Sequence, residues 1–452
     1  MVRGAFFATV RGMSSRASSL APATPASRDR YVDFLRAFSI CVVVLGHWLM
    51  ATVEWTPGGL RTGNVLAVVP ALQPLTWLLQ VMPVFFFVGG FAHLVTYDAN
   101  RRRGGRYAQF AHGRLARLLR PVAVLLAVWV PLTVALDASS MSPAVVRPVT
   151  KLVVQLLWFL GVYVLVVALA PWTLRLHRSF GLRVAVAYVV LAAAIDVMSF
   201  GLGWHAVGYL NVLPVWLFAH QLGYAYADGS FSHWGRLAFG GLAGLVVLTV
   251  WGPYPASMVG MPGERVSNMS PPTLCIVALT CWLVGLVMLA RPWVTRWLER
   301  PRVWTAVVAL NGVIMTVFLW HLTALLVAVL VLLPLGFPQP AVGGAAWWAL
   351  RPLWLLLLLA LLCGLVAVFG RLERPRPVTY VPPARRPSAP RQAAAVAGVA
   401  LVALGVLGLA VSGLSAPLTR PSTLVLVRVT PAACLAYLMS GALLLRRSVR
   451  TA

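Results

Sequence analysis

The sequence predicts an all-α fold, a polytopic integral membrane helix bundle with about ten core spans plus about two C-terminal spans. Three observations predict it. Hydrophobic residues make up 60% of the 452 residues and charged residues 10%, with a mean hydropathy of +0.85. Run after run of apolar sequence approaches the ~20 residues that cross a hydrocarbon core ~30 Å thick. Basic residues fall between these runs, crowded and sparse by turns, as topology determinants do.

Taken in order, residues 1–28 are rich in Ser, Ala, Pro and Arg and read as a disordered cytoplasmic tail. Candidate spans follow near 34–53, 72–95, 119–136, 152–171, 183–200, 206–226, 236–252, 273–290, 306–333 and 347–369. Residues 371–392 are Pro- and Arg-rich and read as a cytoplasmic linker. A C-terminal appendix, 393–452, adds spans near 393–413 and 423–445, the last interrupted by Arg428 and Pro431. With a cytoplasmic N-terminus, this count puts thirty of the 37 basic residues on the inner side and leaves Arg61, Arg147, Lys151, Arg265, Arg351 and Arg420 outside. Both termini are then cytoplasmic.

The same distribution decides how to read the formal charge of +27. Basic residues parcelled between spans set topology, so no nucleic-acid partner is expected; the lipid bilayer is the partner. All but one of these residues are Arg (Lys151 is the exception), in a chain dominated by Ala, Val and Leu, which suits a bacterial plasma membrane protein from a GC-rich genome. The five cysteines lie in apolar stretches without CxxC or Cys/His ligand spacing, so neither disulfides nor a metal site are expected.

Chemistry concentrates in four places. The first span, RYVDFLRAFSICVVVLGHWLM, carries Asp33, Arg36 and His47. Eleven residues at ~100° each bring His47 to within roughly 20° of the Arg36 face, about 16 Å further along the helix. Ionisable groups at membrane depth are costly and are functional suspects by default. A neutral imidazole there can take a proton from a hydroxyl; the competing reading is a packed histidine bonded to a backbone carbonyl. Arg36 competes with an inner-surface anchor, and Asp33 is spaced to pair with it. The second place is VMPVFFFVGGFAH (81–93), where Gly89 and Gly90 allow close helix contact and His93 lies toward the inner end of the predicted span. The third is FAHGRLARLLRP (110–121): Arg114, Arg117 and Arg120 recur every third residue and suit either phosphates or anionic headgroups. The fourth is LNGVIMTVFLWHLTAL (310–325), where Trp320 and His321 sit in a span running parallel to the first, so that His321 and His47 are expected at similar depth. Gln155, Asp196, Asn211, His220 and Gln221 are further polar groups in apolar surroundings, and no GxSxG, HExxH or Walker A signature is present.

These segments resemble the acyltransferase-3 family of membrane O-acyltransferases. DFLRAFSICVVVLGH is similar to its first span, marked by Arg, ten residues and His, here Arg36 and His47. MPVFFFVGGF, GRLARLLRP, LWFLGVYVL (157–165), NVLPVWLFAHQLGY (211–224) and MTVFLWH (315–321) resemble later family segments in order. The resemblance marks 29–370 as an acyltransferase-3-like membrane domain, particularly like actinobacterial members. It departs in two ways: family members often carry a Glu soon after the Trp-Phe/Tyr-Leu segment, where this chain has Gly161-Val162-Tyr163, and the appendix lies outside the shared core.

The resemblance implies transfer of an acyl group, most often acetyl, from cytoplasmic acyl-CoA to a hydroxyl of a carbohydrate or glycolipid acceptor, without a metal. It implies His47 and Arg36 as the catalytic residues. Asp33, Arg114, Arg117, His93, Trp320 and His321 are the expected substrate and acyl-CoA contacts. A transporter or flippase for a lipid-linked glycan is the alternative that twelve spans with intramembrane polar groups permit.

Overall fold

The computed structural model describes residues 28–56, 59–139, 141–261, 266–373, 388–414 and 418–449, with Ala21, Pro25 and Glu264 besides. The predicted tail (1–28) lies outside the described residues except Ala21, Pro25 and Arg28, and of the predicted linker (371–392) residues 374–387 lie outside them, while 371–373 end α12 and 389–392 begin α13. In chain order the helices are α1 (Arg30–Met50), α2 (Met82–Arg102), α3 (Tyr107–Asp137), α4 (Pro143–Gln155), α5 (Leu157–Phe180), α6 (Arg183–Asp196) and α7 (Val212–Ala227). There follow α8 (Trp234–Trp251), α9 (Leu274–Leu298), α10 (Pro301–Asn311), α11 (Ile314–Leu332), α12 (Ala345–Glu373), α13 (Ala389–Ser412) and α14 (Pro431–Val449). Two short hairpins, β1 (Ala51–Thr56) with β2 (Gly59–Asn64) and antiparallel β3 (Ser422–Leu424) with β4 (Val427–Val429), are the sheets among the described residues. Eleven helical stretches among those residues are long and apolar enough to cross a membrane, and the chain is a multi-pass membrane protein.

Three spans differ from the sequence expectation. The stretch predicted at 206–226 is a tight 3-10 turn, His205–Asn211, followed by α7, whose 16 residues fall short of a full crossing. The span predicted at 306–333 is two helices, because the chain breaks at Gly312-Val313; His321 therefore lies near the middle of α11 rather than deep in one long helix. The third predicted span begins earlier, at Tyr107, where Gln109 reaches back to the Arg106 backbone N–H as a cap. Arg114, Arg117 and Arg120 are thus inside α3 rather than ahead of it.

The chain forms two compact units: Met1–Val53 with Thr62–Phe91 and Ser179–Arg371, and Glu54–Arg61 with Ala92–Arg178 and Leu372–Ala452. In the first, Asp29 caps α1 by accepting the Tyr31 and Val32 backbone N–H groups, which satisfies donors that a helix start otherwise leaves open. The chain of α2 crosses α7 at Gly90 and Gly223. A β-carbon at Gly90 would come within 2.0 Å of the His220 carbonyl oxygen, and one at Gly223 within 2.0 Å of that of Phe87. Only glycine lets the backbones approach this closely. Asp196, buried at the end of α6, accepts from Asn211 Nδ2 (2.7 Å), the Tyr254 hydroxyl (2.9 Å) and the Leu274 N–H (2.7 Å). It ties the loop after α8 to the start of α9, and three donors on one carboxylate offset the cost of burying it. At the end of this unit where α1 finishes, Val65, Leu66 and Trp347 form an apolar cluster joined by Met50, Val259, Met261 and Val342.

In the second unit α13 and α14 pack along each other and against α3. Gly398 faces Gly441, and Gly408 leaves room for the Cys434 thiol. All five cysteines are free. The appendix is built into this unit: Leu407 of α13 fills the space beside Gly161 of α5, and Gln392 Oε1 accepts the Ala108 N–H at the start of α3 (3.2 Å).

Candidate active site

Two rungs join α1 to the α10–α11 pair in the first unit. The first is at the Arg36 end. Arg36 Nε donates to Asn311 Oδ1 (2.7 Å), while Asn311 Nδ2 donates to the carbonyls of Asp33 and Val307 (3.0 Å each). Asn311 is the last residue of α10, and the chain turns at Gly312-Val313 before α11. Asp33 is held chiefly by Arg28, whose Nε and Nη2 lie 2.5 and 3.1 Å from its two oxygens, while Arg36 Nη2 stands 3.8 Å away. The Arg28 guanidinium, outside the span, is raised above its usual pKa by this hydrogen bond. Tyr226 on α7 donates to Asp29 Oδ2 (2.6 Å), and the Arg291 guanidinium lies 5.3 Å above its ring.

The second rung lies eleven residues further along α1. His47 Nδ1 is 2.8 Å from His321 Nε2, with the two rings parallel and their centroids 5.1 Å apart. His321 Nδ1 lies 2.7 Å from the Phe318 carbonyl oxygen. That oxygen can only accept, so Nδ1 of His321 carries the proton. In a neutral ring its Nε2 is then a lone pair. The His47 Nδ1 must therefore donate, and its own lone pair is left on Nε2. Fixing one ring nitrogen by the bond the other makes is the usual way a histidine tautomer is set. His321 is fully buried, whereas His47 keeps some accessible surface. Trp48 closes the pair by donating from Nε1 to the His321 carbonyl (3.0 Å).

Arg36 is thus brought beside Asp33, and His47 beside His321, on two separate rungs of α1. Trp320 is ~100° round α11 from His321, and its ring stacks flat on Phe369 with centroids 3.8 Å apart. The other three expected residues belong to the second unit. His93, fully buried, has Nε2 3.1 Å from the Tyr163 hydroxyl. Arg114 Nη2 donates to the same hydroxyl (3.4 Å), and Arg117 is exposed on α3. Sequence reasoning missed Asn311 as a partner of Arg36, Tyr163, and Trp48. For Asn311 a signal existed, since Asn-Gly is a turn dipeptide and marks the break in the predicted span. No group of three or more His, Cys, Asp or Glu among the described residues is arranged to hold a metal.

A family model described as an acyltransferase domain, that of the acyltransferase-3 family, matches residues 29–371, so the chain belongs to this family. No curated protein and no solved structure matches it.

Proposed function

We propose that this membrane acyltransferase moves an acyl group, most often acetyl, from cytoplasmic acyl-CoA to a hydroxyl of a carbohydrate or glycoconjugate, with His47 as general base. The observation that carries the reading is the direction of the His47–His321 hydrogen bond, which leaves the His47 lone pair on Nε2. The acceptor O–H gives its proton to that nitrogen as its oxygen attacks the thioester carbonyl. The new C–O bond forms, the C–S bond breaks, and the departing thiolate takes the proton back from His47. His321 holds the ring in the tautomer that can do this and stabilises the imidazolium in passing. Arg36, half-buried at the other rung, suits an anionic or carbonyl group of the donor, whose long arm then runs along α1 toward His47.

Mass spectrometry of envelope glycans and lipids from bacterial cells with and without the gene tests the reading. The expected result is a mass difference of one acyl group on a hydroxyl-bearing glycan or glycolipid. Substrate movement across the membrane without acyl-CoA consumption would instead identify a transporter.

A further inference from the structure

Arg351 stands out among the cations of the first unit. It sits on α12 between Trp347 and Trp354, and the stripe continues through Leu358, Leu362 and Val366, all buried. A guanidinium serving only as an interfacial anchor belongs on the opposite face, where Leu353, Leu356 and Leu359 are exposed. Arg351 is turned inward instead. Its guanidinium stacks 3.5 Å from the centroid of the Trp347 ring. Its Nε is buried and has no hydrogen-bond partner. Among the described residues no acid lies within 4 Å of it; Glu264, the acid of the neighbouring loop, does not pair with it. A buried donor without a partner is costly, and a cation more so.

Its place gives the reason for that cost. Trp347 packs in the cluster that includes Met50, the last residue of α1. Met50 is three residues beyond His47, about 4.5 Å of helix rise. Arg351 is therefore at the His47 end of α1, away from the Arg36 rung. Stacking on an indole holds the guanidinium plane and leaves its edge N–H groups for an oxyanion, which a planar fork binds in bidentate fashion.

We propose that Arg351, held flat by Trp347, binds an anionic group, a phosphate or carboxylate, of the glycan or glycolipid acceptor whose hydroxyl reaches His47. This rests on the reading of His47 as the base and adds the acceptor's charge to it. Two sources could supply such an oxyanion: the acceptor itself or the headgroup of an anionic lipid.

The test is direct binding, with no acyl donor present, so its outcome is independent of whether His47 transfers a proton. Full-length protein in nanodiscs of phosphatidylcholine is titrated with glucose 1-phosphate, glucuronate and methyl glucoside, read by intrinsic tryptophan fluorescence. Wild-type protein is expected to bind one or both anions and not the neutral glycoside. Arg351→Gln should weaken that binding about tenfold or more, and Arg351→Lys, which keeps the charge without the planar stack, should fall between. Gel filtration and thermal unfolding confirm that each variant is folded. Equal binding by wild type and Arg351→Gln, or no anion binding by wild type, overturns the proposal. In a second arm phosphatidylglycerol replaces part of the lipid. Unchanged affinity supports an acceptor site, whereas loss of sugar-anion binding assigns Arg351 to a lipid headgroup and overturns it.

Discussion

Each unit holds a histidine within a candidate span bonded to a second side chain, and the two differ in their surroundings. His47 keeps some accessible surface, and its partner His321 is itself anchored to a backbone carbonyl. The anchor fixes the direction of the whole chain of bonds and points a lone pair away from it. His93 is fully buried, and the hydroxyl beside it also accepts from Arg114. That cluster ends on a guanidinium, a group that holds its proton at any working pH. On the proposed reading, one histidine moves a proton and the other stands beside a held cation. Burial and the identity of the last partner, rather than the residue type, make the difference.

The largest effect should come from His47→Ala, which removes the base: turnover is expected to fall by about 10²–10⁴-fold with folding and membrane insertion intact. His321→Leu leaves His47 in place but frees its tautomer, and a loss of roughly 10–10²-fold is expected. His321→Gln, whose amide oxygen can still accept from His47 Nδ1, should recover part of it; equal loss in both variants would reduce His321 to packing. Arg36→Ala should raise the KM for acyl-CoA roughly tenfold with a smaller change in kcat, and an unchanged KM would make Arg36 an anchor. Tyr163→Phe is the smallest and sharpens the contrast from the other side. It cuts the link between Arg114 and His93, so a loss of about 1 kcal/mol of stability with kcat and KM nearly unchanged is expected. A fall in kcat with unchanged KM would place Tyr163 nearer the chemistry than its cluster suggests.

Local features of both regions were legible in the sequence. Helical period alone aligned Arg36 with His47, and both do meet partners on the α10–α11 pair. The partners themselves were not legible in the same way. Asn311 and His321 lie more than 270 residues downstream, and no local pattern encodes which helices become neighbours. His321 was expected at the depth of His47 and does meet it, although the single helix from 306 to 333 on which that rested is divided after Asn311. Trp48 gave no signal, because an indole's single donor has no periodic signature. Arg351 was read as one of a few outer cations; only its burial against Trp347 set it apart.

The measurement that bears most directly on the central claim is acyl transfer from radiolabelled acetyl-CoA in membranes containing wild type, His47→Ala or His93→Gln at matched expression. The account predicts that label transfer is nearly abolished by His47→Ala and largely retained by His93→Gln. Wild-type transfer by His47→Ala, or equal losses in the two variants, would contradict it.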